Sequence, residues 1–174
     1  ADVLYDRENL PLLDQFLTRG QQILVADSRV RDFKHPLYRQ LDSALVAMQP
    51  EFFCEGPREE DETRKAIRAD DADFLLAERD GAVVGFALVG YAGWTPEFSC
   101  VLPHRYARLE DLAVDEAVRG QGVGGELLAA AKRWARNRRL EYLELNVLAQ
   151  NENAIRLYES QDFVEATKVM RCML

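Results

Sequence analysis

Residues 106–138 read YARLEDLAVDEAVRGQGVGGELLAAAKRWARNR, and the change of pattern inside this stretch decides the fold class. Tyr106 to Val114 predicts a strand. From Gly122 to Arg138 the apolar residues Leu127, Leu128, Ala131, Trp134 and Ala135 recur at helical spacing and predict an amphipathic helix. Between the two stand Gly120, Gly122, Gly124 and Gly125, with Arg119 in front. A glycine loop leading from a strand into a helix converges backbone N–H groups on one point, and the helix dipole adds positive character there. Glycines so dense weaken a helix start unless they permit close approach, either of an anion or of a neighbouring element. Arg119 adds a charge-assisted donor and favours the anion.

The string Gly120-x-Gly122-x-x-Gly125 also matches a dinucleotide fingerprint, and Glu144 stands 19 residues beyond Gly125, near the position of a ribose-binding acid. Only 49 residues follow Gly125, which is expected to be too few for the rest of a doubly wound sheet. No Gly-Lys-Ser/Thr is present in the loop, so a nucleoside-triphosphate phosphate loop is excluded.

Outward from this unit the pattern is mixed. Helices are predicted over 7–19, ending at Gly20, and over 36–48, opening on Pro36 with Leu37, Leu41, Leu45 and Met48 on one face. Residues 59–68 form a charged, weakly amphipathic helix. Residues 22–27 read as a strand. Residues 73–79 and 82–90 flank Asp80-Gly81, a hairpin signal. The stretch 91–105, with Gly93, Pro96 and Pro103, reads as loop or irregular edge. A strand over 141–148, a helix over 152–160 and one or two closing strands over 162–173 complete the order. Helices and strands in this order make a mixed sheet flanked by helices.

The chain has 174 residues, 48% of them hydrophobic, and a net charge of −8. This length suits one domain with its own core. The acidic balance disfavours nucleic acid, whose affinity rests on Lys and Arg neutralising phosphates. No apolar run has the length of a membrane span, and residues 1–20 lack an apolar signal core, so a cytoplasmic protein without membrane partners is expected. Cys54, Cys100 and Cys172 are odd in number and lack C-x-x-C spacing, which argues against a disulfide framework or a cysteine zinc site. His35 and His104 make no metal motif. Charge is segregated: residues 51–80 hold eleven acids and five bases, whereas residues 119–139 hold six bases and one acid. Solvated helix faces explain most of it, and an anionic cofactor opposite a cationic substrate explains the same pattern.

The run Leu112-Ala113-Val114 followed by Arg119-x-x-Gly122-x-Gly124 resembles the GNAT superfamily of acetyl-CoA-dependent N-acetyltransferases, whose pyrophosphate signature is Arg/Gln-x-x-Gly-x-Gly/Ala. A second family element is an Asn, an Ala and a Tyr on the following helix, then Gly-Phe. Here it reads Asn151-Glu152-Asn153-Ala154-Ile155-Arg156-Leu157-Tyr158, then Asp162-Phe163. Asp162 replaces the glycine, and Asp tolerates the left-handed conformation better than most residues. Leu109-Glu110-Asp111-Leu112 resembles the Leu-Glu-Asp stretch of diamine and streptothricin acetyltransferases.

The resemblance implies an α+β, three-layer fold with a mixed central sheet of six to seven strands flanked by about four helices. Residues 1–174 form a single N-acetyltransferase domain, with 1–20 as an N-terminal extension helix. It implies acetyl-CoA as co-substrate. Pantetheine lies against the main chain of Leu112, Ala113 and Val114, with the Val114 N–H polarising the acetyl carbonyl. Arg119, Gly120, Gln121, Gly122, Val123, Gly124 and Gly125 hold the pyrophosphate, and Asn151 and Asn153 add cofactor contacts. No metal is involved. Tyr158 is the implied acid and Glu110 the candidate base. Each has a plainer alternative: Tyr158 as a core residue, Glu110 as a salt-bridged edge acid, Asn151 as a helix cap. Strand alternation puts Glu110, Leu112 and Val114 on one face and Asp111 on the other, unless a bulge intervenes. Tyr91, Trp94 and Phe98 are candidates for an acceptor pocket. The expected acceptor is a small cationic amine, such as a polyamine or an aminoglycoside-like antibiotic, taken by a monomer or homodimer. A peptide amine is the alternative within enzymes, and an acetyl-CoA-sensing module the alternative outside them.

Overall fold

The computed structural model describes residues 22–25, 36–54, 72–94, 100 and 102–173. Five strands form one sheet in sequence order: β1 (Gln22–Val25), β2 (Ala72–Arg79), β3 (Ala82–Trp94), β4 (His104–Val114) and β5 (Leu143–Leu145). β1 to β4 pair antiparallel and β5 pairs parallel with β4, so the sheet is mixed. Three α-helices accompany it: α1 (Pro36–Met48), α2 (Val123–Asn137) and α3 (Glu152–Glu159). A 3₁₀ turn at Glu116–Val118 joins β4 to the glycine loop.

The three-layer arrangement follows from two cores, one on each sheet face. Leu75, Ala77, Ala87, Val89, Ala107 and Leu109 meet Leu127, Leu128, Ala131, Trp134 and Ala135 of α2. Phe74, Leu76, Phe86, Leu88 and Ala113 meet Leu37 and Tyr38 of α1 on the other face. Helix α2 is pinned at its far end, where Trp134 Nε1 and Arg138 Nη2 donate to Asp73 Oδ2 at 2.5 and 2.9 Å. The Arg138 guanidinium lies 4.0 Å from the Trp134 ring centroid. Lys132 donates to the Gln161 carbonyl. Several bases of the 119–139 stretch therefore hold helices in place.

The sheet is smaller than expected: five strands and three α-helices among the described residues, against six to seven strands and about four helices. The hairpin forms as predicted, with Asp80 and Gly81 both at positive φ (52° and 78°), the geometry of a primed turn. β3 and β4 continue to Trp94 and from His104, into the stretch expected to be loop. Cross-strand pairing, from Tyr91 with Ala107 to Trp94 with His104, overrides the weak strand preference of Gly93. β5 spans three residues instead of eight. The closing strands over 162–173 are absent: residues 163–173 carry no regular structure, and the short β5 offers little edge to pair with. Val164, Val169, Met170 and Met173 are exposed there. The expected helices at 7–19 and 59–68 lie outside the described residues. No helix among the described residues is long and apolar enough to cross a membrane.

Candidate active site

Parallel pairing between β4 and β5 ends at Leu109 with Leu145. β4 continues to Val114, so its outer edge has no strand partner from Glu110 onward among the described residues. A bulge begins at the same place. Val89 pairs with Leu109 and Leu88 with Asp111, which leaves Glu110 as the extra residue. The bulge shifts the phase of the strand by one residue. Side chains Leu112 and Val114 thereby join Ala107 and Leu109 on the α2 core. The backbone phase shifts too. The Ala107 N–H bonds the Tyr142 carbonyl of the β5 side at 2.9 Å, and the Asp115 N–H bonds the Val84 carbonyl of β3 at 2.8 Å. By antiparallel alternation, Leu112 and Val114 then turn their N–H and C=O groups away from β3, toward the open edge.

This corrects the expected grouping of Glu110 with Leu112 and Val114. Glu110 is exposed and shares the side of Arg108, whereas Leu112 and Val114 face the α2 core. The Arg108 pKa is raised by the hydrogen bond to Glu144, with the charges of Tyr106, Glu144 and Glu110 adding and burial opposing. Asp111 is half-buried opposite Leu88, on the α1 side of the sheet.

Beyond Val114 the loop is built rigidly. Asp115 Oδ1 accepts the Ala117 N–H at 2.9 Å and caps the 3₁₀ turn. Arg119 Nε donates to the Val114 carbonyl at 3.1 Å, and its Nη1 pairs with Glu116 at 3.0 Å. Gln121 is held by Arg79 Nη1 at 2.6 Å and itself donates to the Ala117 carbonyl at 3.3 Å. Arg119 and Gln121 therefore brace the loop. Gly120 and Gly122 have φ of 73° and 89°, and a Cβ at either would meet nothing within 4 Å. Gly122 is the N-cap of α2 and supplies no side-chain cap, so the first N–H groups of the helix have no capping side chain. Gly124 differs: its Cβ would stand 3.0 Å from Leu157 Cδ2 and 3.8 Å from Val114 Cγ2, so it serves close packing of α2 on α3. Gly125 lies 3.6 Å from Gln161 on the same measure, and Val123 is buried in the core.

Helix α3 brings Tyr158 to the α2 side of the open edge, where it packs on the same core as Leu112, Val114 and Leu145. Its ring lies 5.9 Å from that of Phe163, and burial raises its pKa. The chain reverses after it through Asp162, whose φ of 63° meets the left-handed requirement of the missing glycine. Asn151 caps α3, its Oδ1 accepting the Ala154 N–H at 3.2 Å, and Asn153 Oδ1 accepts from Arg156 Nη2 at 2.7 Å. Both asparagines also line a cleft of about 430 Å³ whose other wall is Ala44, Ala47 and Met48 of α1.

The opposite sheet face carries groups that the motifs did not single out. Tyr106 and Tyr142 stack with ring centroids 4.8 Å apart and planes 11° from parallel. Arg108 Nη2 bonds Glu144 Oε1 at 2.7 Å and the Tyr106 hydroxyl at 3.1 Å. Glu144, which the dinucleotide reading offered as a ribose ligand, is thus a partner of Arg108. His104 Nδ1 lies 2.6 Å from Glu141 Oε2. The alternation His104, Tyr106, Arg108 between Ala107 and Leu109 was the available signal. Tyr91 is exposed, with the Arg105 guanidinium 5.9 Å from its ring centroid. Phe98, His35 and the Trp94 side chain lie outside the described residues. Among the described residues no group of three or more His, Cys, Asp or Glu is placed to hold a metal.

Residues 38–163 match the family model described as "Acetyltransferase (GNAT) family". That span is most of the chain, and the chain belongs to this family. It is 35% identical over 134 residues to a mycothiol acetyltransferase of Acidothermus cellulolyticus, covering 70% of this chain and 41% of that one. It is 30% identical over 122 residues to streptothricin acetyltransferase of Streptomyces lavendulae, covering 70% and 58%. The chain thus spans roughly half the length of these curated relatives. Among solved structures, a mutant of the BH1408 protein of Bacillus halodurans superposes with a TM-score of 0.80 at 21% identity, over 88% of this chain and 99% of that one. Aminoglycoside N-acetyltransferase AAC(6')-Iy in complex with CoA gives 0.64 at 19% identity, over 88% and 98%. These structural likenesses establish the fold.

Proposed function

We infer that the chain transfers acetyl from acetyl-CoA to a small cationic amine by direct attack. The observation that carries this is the parted β4 edge. Leu112 and the Val114 N–H have no strand partner there among the described residues, in line with the N-terminus of α2, while the Val114 carbonyl is taken by Arg119. An extended chain of amides ending in phosphates fits that edge, because strand-like hydrogen bonds take the amides and helix N–H groups take the phosphates. Gly120 and Gly122 admit the phosphates, Val123, Gly124 and Gly125 supply N–H groups, and Arg119 and Gln121 hold the loop open. Ala113 keeps β4 bonded to β3 behind the ligand. Asn151 and Asn153 fix the start of α3 at the cleft.

The acetyl thioester supplies an activated acyl group. The chain's own residues supply position and proton transfer. Glu110, exposed on the Arg108 side, receives the amine and takes its proton, directly or through water. Tyr158, on the α2 side, protonates the departing thiolate. Burial holds its hydroxyl in the neutral, donating form. The two groups therefore act from opposite faces of the sheet, one on each side of the transferred group. An amine of pKa near 10 is mostly protonated at neutral pH, so an acceptor-side base is required.

Neighbours whose names specify aminoglycoside and streptothricin acetylation favour a small-molecule amine over a peptide amine for this chain. The test is thiol release from acetyl-CoA across aminoglycosides, streptothricin, polyamines and peptides, with the acetylated product identified by mass. Release with one or more small amines supports the reading. Release with peptides alone moves the acceptor to protein, and binding of acetyl-CoA without release to any amine makes the chain a sensor.

A further inference from the structure

Resting on the acceptor site proposed above, the β4–β5 face below Glu110 adds a specificity element. We propose that the strip formed by Arg108, Glu144, Tyr106 and Tyr142 recognises the acceptor, and that it selects an amine carried on a polar ring, such as an amino sugar or aminocyclitol, over an open-chain polyamine.

The strip is created by register. Parallel pairing sets Arg108 beside Glu144, which places Tyr142 beside Tyr106 two residues earlier, on the same face. All four share the sheet face that α1 covers only farther along, where Leu37 and Tyr38 meet Phe74, Phe86 and Ala113. The strip is partly open: the Arg108 and Glu144 side chains are 34% and 38% exposed and Tyr142 is 42% exposed. It runs from Tyr106 to Glu110, roughly 13 Å at strand spacing. That is long enough to take a ring system whose amine reaches Glu110.

Its chemistry does not suit a linear polycation. A polyamine carries ammonium groups at intervals and needs separate carboxylates to meet them. Here Glu144 is paired with Arg108 at 2.7 Å and Glu141 with His104 at 2.6 Å. Asp111, the half-buried acid next to Glu110 on this face, has an interaction of its own, and Glu110 has no salt-bridge partner among the described residues. The next side chain along the face is the Arg108 guanidinium, which repels a second ammonium. A hydroxylated ring meets complementary groups instead. The stacked tyrosines offer an apolar face with polar tips, and the Arg108–Glu144 pair offers donors and acceptors fixed in one plane.

The experiment compares glucosamine, a hydroxylated ring with one amine, with spermidine as acceptors, using wild type, Tyr142→Ala and Tyr142→Phe. In wild type, kcat/KM for glucosamine exceeds that for spermidine by about tenfold or more, a 1.4 kcal/mol preference. Tyr142→Ala lowers that ratio by about tenfold, mainly by raising KM for glucosamine, and Tyr142→Phe, which keeps the stack, preserves it within about threefold. A wild-type preference for spermidine, or an equal effect of Tyr142→Ala on both amines, overturns the proposal. Should no amine release thiol, acetyl transfer itself fails, and calorimetry of both amines into the CoA-saturated chain still decides the strip. Glucosamine binding that weakens about tenfold in Tyr142→Ala upholds it. Absent glucosamine binding, or equal weakening for spermidine, rejects it.

Discussion

Tyr158→Phe removes one oxygen and keeps the ring that packs against Phe163 and the α2 core. If the hydroxyl protonates the leaving thiolate, kcat falls by about 10²–10⁴ while acetyl-CoA affinity stays near that of wild type. Single-turnover kinetics beside equilibrium binding check this, and equal loss of both contradicts it. A pH signature accompanies the role. Burial raises the Tyr158 pKa above its ordinary value of 10.0, so its stabilising contribution is complete below pH 10 and is lost as pH climbs through the raised value. Melting curves should show wild type losing more stability than Tyr158→Phe in strongly alkaline solution. Glu110→Gln removes the proton acceptor on the other face, so kcat should drop by about 10²–10⁴. An unchanged rate assigns the base to Asp111 or to water. At the loop, Gly122→Asn puts one of the L residues least strained at positive φ where φ is 89°, and extends a side chain into the space in front of α2. Acetyl-CoA affinity should drop by about tenfold or more, ~1.4 kcal/mol, with the melting temperature lowered only by the local backbone strain. Normal binding would make the loop a packing device. The motif residues were legible because their spacing is local. Arg119 was read as a phosphate donor from its spacing, whereas its contacts with Val114 and Glu116 depend on how the loop folds back and were not readable there.

The bulge in β4 was not legible at the level of the element. Period-two alternation places Glu110 with Leu112 and Val114, and nothing in LEDLAV marks the inserted residue. Its effect is on β4: the extra residue lets Leu109 and Leu112, three positions apart, both face the α2 core while Ala113 faces the α1 side. Helix α1 and the 80–81 hairpin were read nearly to the residue, since Pro36 and Asp-Gly fix their ends locally. The closing strands failed for the converse reason: β propensity over 164–173 counts for nothing without an adjacent edge. β4 also depends on a close approach behind it. A Cβ on Gly85 would stand 3.0 Å from the Ala113 carbonyl, 3.2 Å from Leu127 Cδ1 and 3.3 Å from Val123 Cγ1. Gly85→Ala should therefore destabilise the fold by about 1–3 kcal/mol, read from the urea midpoint. A neutral result would show that β3 and β4 can separate there at little cost.

At the scale of the molecule, a sheet with a helical layer on each face is broken open along one line, between β4 and β5. The sequence order and the family motifs foretold the layers and the loop. The polar strip of Tyr106, Arg108, Tyr142 and Glu144 was not foreseen, because it needs the parallel register of two strands, with Arg108 and Glu144 36 residues apart in sequence. The whole account turns on whether the outer edge of β4 is free in the unliganded chain and filled by acetyl-CoA. Amide hydrogen exchange followed by NMR measures this residue by residue. The free chain should exchange the N–H groups of Leu112 and Val114 rapidly and that of Ala113 slowly. Saturating acetyl-CoA should protect Leu112, Val114 and the first N–H groups of α2 while leaving Ala113 unchanged. Slow exchange at Leu112 and Val114 without ligand, or no gain in their protection at saturation, would contradict the account.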